Sequence, residues 1–86
     1  MASDLQLAQR VAVLVEQATG GTVNQDRALE AKGTFLEIGM TSLAYLRLID
    51  SVENEFGVYV DLEDETVTLN NVETFAAYIE TQGVSA

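Results

Sequence analysis

Apolar residues recur every three to four positions over most of the chain, which predicts four helical stretches and no alternating strand of any length. The first opens at Ser3, with Gln6 three residues on at the spacing of a capping box. Its stripe is Leu7, Val11, Leu14, Val15 and Ala18, and Gly20-Gly21 stops it. A long connection from Thr22 to Thr41 follows, holding Gly33, Gly39 and an apolar trio, Phe35, Leu36 and Ile38. A connection of that length is unusual in a compact domain. The expectation is that the trio packs inward and pins the loop, so that its end at Gly39 is held in place.

The second helix is expected from about Ser42 to Phe56, ending at Gly57. Leu46, Ile49, Val52 and Phe56 line one side, widened by Tyr45 and Leu48, while Ala44, Arg47, Asp50, Ser51 and Asn54 fall largely opposite. Val58-Tyr59-Val60 makes an extended connector, and Asp61 to Thr66 has room for a short helical turn. The last helix starts near Asn70 or Asn71, either of which can cap it, with Glu73 at the capping-box distance from Asn70. Val72, Phe75, Ala76 and Ile79 face the core, Tyr78 flanks them, and Gly83 ends the helix. The expected fold class is all-α: a small four-helix bundle with a long loop between the first and second helices and a short third helix. One domain over residues 1–86 is expected, and a monomer.

Composition narrows the chemistry. With 86 residues, 48% of them hydrophobic, the chain can bury one core. It has no cysteine, hence no disulfide and no thiolate metal site. It has no histidine, which removes the commonest general base, the commonest zinc ligand and any Ser-His pair. The expectation is a protein that is not an enzyme, with no catalytic residue and no metal site. Asp61-Leu62-Glu63-Asp64-Glu65 lacks the ligand ladder and central glycine of a calcium loop and is read as a solvated acidic turn. No apolar run approaches the ~20 residues of a membrane span. The start, Met1-Ala2-Ser3-Asp4, lacks the basic and apolar regions of a signal peptide, so a cytoplasmic protein is expected.

Net charge is −10, and its distribution says more than its size. Arg10, Arg27, Lys32 and Arg47 all lie in the first 47 residues, whereas Leu48 to Ala86 holds nine carboxylates and no cation. Such a surface repels nucleic acid and anionic lipid and steers cationic partners toward itself. Asp50, Glu53, Glu55 and the acidic turn are candidates for docking basic enzyme patches; a merely solvated face is the alternative for each.

The informative stretch is Phe35-Leu36-Glu37-Ile38-Gly39-Met40-Thr41-Ser42-Leu43. Gly39 lets the backbone turn tightly and leaves room around the hydroxyl three residues later. Thr41 supplies a capping side chain. Ser42 then falls in the first helical turn, where free N–H groups and the positive end of the helix dipole favour an anion such as a phosphodiester. Ser42 as an ordinary helix-start residue is the plain alternative, but helix-start chemistry does not by itself require Phe35, Gly39 and Leu43. A hydrolase nucleophile fits less well, because no glycine stands two residues after Ser42 and no histidine exists to activate it.

Phe35, Ile38, Gly39, Ser42 and Leu43, followed by Glu53, Glu55, Phe56 and Gly57 closing the helix, resemble the pattern of the phosphopantetheine-binding carrier proteins. The resemblance covers nearly the whole chain. It implies a 4′-phosphopantetheine arm, transferred from coenzyme A to Ser42 by a separate phosphopantetheinyl transferase. The arm's thiol then carries acyl or aminoacyl groups as thioesters from a loading enzyme to downstream synthase or tailoring enzymes. The sulfur belongs to the cofactor, which agrees with a protein that has no cysteine. Leu43, Thr41, Arg47 and Asp50 are the partner contacts the resemblance suggests. The chain also departs from the pattern. Carriers of fatty acid synthesis mostly have Asp before the serine, where this chain has Thr41, and acidic positions in the second helix where it has Ala44 and Arg47. These differences favour a carrier of polyketide, nonribosomal peptide or related specialised biosynthesis. The alternatives are an acyl carrier protein of fatty acid synthesis and a non-acylated helical adaptor of the same shape.

Overall fold

A computed structural model describes residues 2–30, 33–61, 63 and 69–84, with the backbone alone at residues 2–5. Among these residues the chain forms four α-helices and no strand: α1 (Ala2–Ala18), α2 (Gln25–Glu30), α3 (Ser42–Phe56) and α4 (Val72–Thr81), with a 3₁₀ turn at Leu36–Ile38. The all-helical class is as expected. Helix α1 is the hub and packs against each of the other three.

The stripe of α1 is buried as the pattern predicts, with Ala12 joining it. The helix starts at Ala2, so Ser3 stands inside it and does not precede it; terminal positions of this kind vary by a residue or two. At its other end Gly20 and Gly21 both take positive φ, and the Gly21 amide donates to the Glu16 carbonyl at 2.9 Å. On α4 the expected Val72, Phe75, Ala76 and Ile79 are buried. Asn71, not Asn70, caps this helix. Its side chain accepts from the Thr74 amide at 2.8 Å, and Thr74 Oγ1 accepts from the Asn71 amide at 3.1 Å. The capping-box partner is therefore Thr74 and not Glu73.

The long connection is more structured than its periodicity suggests. Asn24 nucleates α2, its Oδ1 accepting from the Arg27 amide and its carbonyl from the Ala28 amide, and Ala28 is the one buried residue of that helix. Further on, the apolar trio does not act as a unit. Phe35 is buried, its amide donating to the Asn70 carbonyl at 2.7 Å and its ring 5.8 Å from that of Phe75. Ile38 is half-buried, and Leu36 points outward, 71% exposed. The pin is thus Phe35 with Met40, whose amide returns to the Phe35 carbonyl.

Helix α3 has the expected bounds, and Gly57 ends it in the left-handed region at φ 67°. Its buried face is rotated from the expected one. Ala44, Leu48, Ile49 and Val52 are buried, Tyr45 and Phe56 are half-buried, and Leu46 is 54% exposed. The Ala44-Leu48-Val52 row, at steps of four, is the centre of the stripe. Phe56 lies under the Arg10 guanidinium, 4.5 Å from the ring centroid, and Arg10 also pairs with Glu55 at 3.0 Å. The short helical turn expected over Asp61 to Thr66 lies mostly outside the described residues. Of it, Asp61 Oδ1 accepts from the Glu63 amide at 3.0 Å.

Candidate functional site

The site is built where the loop enters α3. The 3₁₀ turn closes on Gly39, whose amide donates to the Leu36 carbonyl and whose φ is 100°. A Cβ at Gly39 would meet nothing within 4 Å. Glycine is therefore required here for its backbone conformation and not for space. Thr41 follows in extended conformation and caps α3, its Oγ1 accepting from the Ala44 amide at 3.1 Å and its carbonyl from the Tyr45 amide at 2.9 Å. That places Ser42 on the first residue of the helix.

Ser42 is exposed, and among the described residues its hydroxyl has no hydrogen-bond partner. The amides of Ser42 and Leu43 likewise donate to none of the described residues. No carboxylate occupies the first turn of α3, so nothing there offsets the positive end of its dipole. A primary hydroxyl, two free N–H donors and an uncompensated dipole suit a phosphodiester attached at this oxygen.

Beside Ser42 opens an apolar cavity of about 530 Å³, with Phe35, Leu36, Met40, Tyr45, Leu46 and Leu69 in its walls. Two clips hold its far wall. The Phe35 amide donates to the Asn70 carbonyl, and the Tyr45 hydroxyl donates to the Leu69 carbonyl at 2.7 Å. Burial pushes the Tyr45 phenol above its ordinary pKa, so it stays a donor throughout the neutral range.

The suggested partner contacts sort clearly. Thr41, Leu43, Arg47 and Asp50 are all exposed around Ser42 or along the outer side of α3. The hydroxyl of Thr41 is occupied by capping. Leu43 stands 60% exposed. Ala44 is buried and presents nothing to a partner. Of the carboxylates suggested for docking, Glu53 accepts from the Val60 amide at 2.9 Å, Glu55 pairs with Arg10 and Asp50 accepts from the Asn54 side-chain amide at 3.3 Å; Asp50 and Glu55 are exposed. Sequence reasoning missed the cavity and its walls at Leu36, Met40, Tyr45 and Leu46. The signal was the Ala44-Leu48-Val52 row, which turns Leu46 outward once it is taken as the centre of the stripe.

A family model described as a phosphopantetheine attachment site matches residues 9–79. No curated protein and no solved structure matches the chain.

Proposed function

The chain belongs to the phosphopantetheine attachment-site family, whose members carry a covalent 4′-phosphopantetheine, and from that premise we propose that Ser42 is the attachment residue. The observation that carries this is the uncommitted, exposed Ser42 hydroxyl on the first residue of α3, beside free amides and an apolar cavity. In the transfer, Ser42 Oγ forms a bond to the pantetheine-side phosphorus of coenzyme A. The pyrophosphate bond breaks, 3′,5′-ADP leaves, and the serine proton passes to a base of the transferase. When bound, the arm supplies a terminal thiol for thioester carriage. The protein's own part is to present the hydroxyl, to stabilise the phosphodiester with the Ser42 and Leu43 amides, and to dock partner enzymes. Residues 1–86 act as one carrier domain with no catalysis of its own, and the cytoplasm is the expected compartment. The test is mass spectrometry after incubation with coenzyme A and a broad-specificity transferase. One phosphopantetheinyl group should be added, and none in Ser42→Ala; labelling that persists in the alanine variant would reject Ser42.

For the pathway, the reading is a dedicated carrier of polyketide, nonribosomal peptide or related specialised biosynthesis. Arg47 supports it, as an exposed cation where fatty-acid carriers present carboxylates. Ala44 no longer contributes, because it is buried. Repulsion from Arg47 discriminates against basic partners better than the loss of one rim contact does. Turnover of the acylated protein by fatty-acid synthase enzymes should therefore be poor and should improve in Arg47→Glu. Efficient turnover of the wild type, unchanged by that substitution, would restore fatty acid synthesis.

A further inference from the structure

Helices α3 and α4 each lean on α1 rather than on one another. Between them the space is bridged by one large side chain. The ring of Tyr45 meets Phe75 edge-on at 6.3 Å, and its hydroxyl donates to the Leu69 carbonyl at 2.7 Å. Among the described residues this is the one hydrogen bond from α3 to residues 69–81. Tyr45 follows Ser42 by three residues, the spacing at which helical side chains are neighbours. Tyr45 and Leu69 both stand in the wall of the cavity that opens beside Ser42.

The two residues at the far wall are held differently. Asn70 is fixed through its backbone, its carbonyl accepting from the Phe35 amide at 2.7 Å and its amide donating to Thr74 Oγ1 at 3.0 Å. Leu69 is buried, and its carbonyl is tied by the Tyr45 side chain. Without the phenol proton that carbonyl must turn to water or stay unsatisfied, and either outcome favours moving Leu69 away from α3. Releasing Tyr45 therefore frees Leu69 while Asn70 and the cap of α4 stay in place. A fixed point next to a releasable one is a hinge.

The cavity holds about 530 Å³ behind apolar walls that include Phe35, Met40 and Leu46. A space of about 150 Å³ already suffices for a benzene-sized group. We infer that Tyr45 is a latch whose hydrogen bond to Leu69 sets the depth of this cavity, and with it the size of the apolar cargo that can lie beside the arm. The inference rests on Ser42 as the attachment residue. With the latch closed, a compact acyl group of hexanoyl size buries itself whole. A longer chain must break the Tyr45–Leu69 bond or leave its end in water, so its extra carbons add no burial. Tyr45 is in this sense a residue that determines specificity, and it acts through Leu69.

The test loads the whole protein from butanoyl-, hexanoyl- and decanoyl-coenzyme A with a broad-specificity transferase and compares thermal midpoints with the unloaded arm. In wild type, hexanoyl should raise the midpoint by about 3–8 °C, more than butanoyl does, and decanoyl should raise it no further. Tyr45→Phe keeps the ring on Phe75 and removes only the latch. There decanoyl should exceed hexanoyl by about 3 °C or more, each form being measured against that variant's own unloaded arm. The Leu69 amide signal should move on decanoyl loading in the variant and hold its place in wild type. A midpoint that keeps rising to decanoyl in wild type, a plateau at hexanoyl in both proteins, or no rise with any acyl group would overturn the latch. Titrating free hexanoyl- and decanoyl-pantetheine onto the unmodified protein, followed at the same amide, repeats the comparison without attachment. Labelling of Ser42→Ala would reject the attachment residue, and the free-ligand titration would still decide the latch.

Discussion

The α1–α4 pair and the entrance to α3 obey different rules, although both are amphipathic helix packed on the same core. In the first region every large apolar residue of the expected stripes is inside: Leu7, Val11 and Val15 on α1, and Phe75 and Ile79 on α4. At the entrance to α3 the sizes are inverted. Small Ala44 is buried while Leu43 and Leu46 are out, and Leu36 is out while Phe35 is in. Burial of apolar area drives both regions. The leucines left in water beside buried Ala44 are found where the hydroxyl of Ser42 is presented. The difference teaches that the core fixes the scaffold, while departures from pattern mark the site.

The comparison breaks most directly at the aromatic cluster that joins the two regions. Phe35 packs on Phe75 at 5.8 Å, and Tyr45 meets Phe75 edge-on at 6.3 Å. Truncating the fully buried Phe75, or Phe35, to Ala should cost about 3–5 kcal/mol in denaturant melts. Phe56, half-buried under Arg10, should cost only about 1–2 kcal/mol. Equal costs at Phe56 and Phe75 would mean that the far end of α3 is as much core as α4. A second test enlarges the inside residue of the inverted pair. Ala44→Leu should destabilise by about 1–3 kcal/mol through overpacking, where a merely tolerant site would gain stability from added apolar area.

Much of this was legible in the sequence. The bounds of α3 follow from Thr41 and Gly57, and the stripes of α1 and α4 from spacing alone. What spacing does not settle is the register of α3, because Leu46-Ile49-Val52-Phe56 and Ala44-Leu48-Val52 are both acceptable helical rows, and side-chain size favours the wrong one. Tertiary packing against α1 decides it, and that information is not local. Helix α2 was missed for a different reason. At six residues with one buried alanine it is too short for a period to show, and only Asn24 as a cap could have announced it. At the site, Ser42 was legible as the candidate from its motif, whereas the cavity beside it depends on Leu69 and Tyr45, 24 residues apart in sequence.

A smaller effect is expected at the Tyr45 clip. Tyr45→Phe keeps the ring on Phe75 and removes only the hydrogen bond to the Leu69 carbonyl. It should cost about 1 kcal/mol, and amide exchange near Leu69 should quicken more than exchange in α1. Uniform quickening across the bundle would show that the clip is simply part of the global fold and that the cavity wall has no separate stability.

The smallest effect concerns Glu37, the one carboxylate of the 3₁₀ turn. Thr34 holds it through two hydrogen bonds, from the backbone amide and from the hydroxyl, and these keep its carboxyl below the ordinary glutamate pKa. The sign follows from the direction. A carboxyl whose folded pKa is depressed binds fewer protons folded than unfolded. Its contribution is present above the unfolded pKa and fades as pH falls through the folded one. Being fully exposed, it should leave global melts almost unchanged, so the measurement is site-resolved: NMR titration of the Glu37 carboxyl. Gly33 sharpens the test. A Cβ there would sit 2.8 Å from Glu37 Oε1, against the tip of a flexible side chain, and Gly33 has no positive φ to strain. Gly33→Ala should push the carboxylate off Thr34 and return its titration toward the ordinary value, with the bundle and the labelling of Ser42 intact. An unchanged Glu37 titration in that variant would show that the Thr34 contacts are not what lowers it.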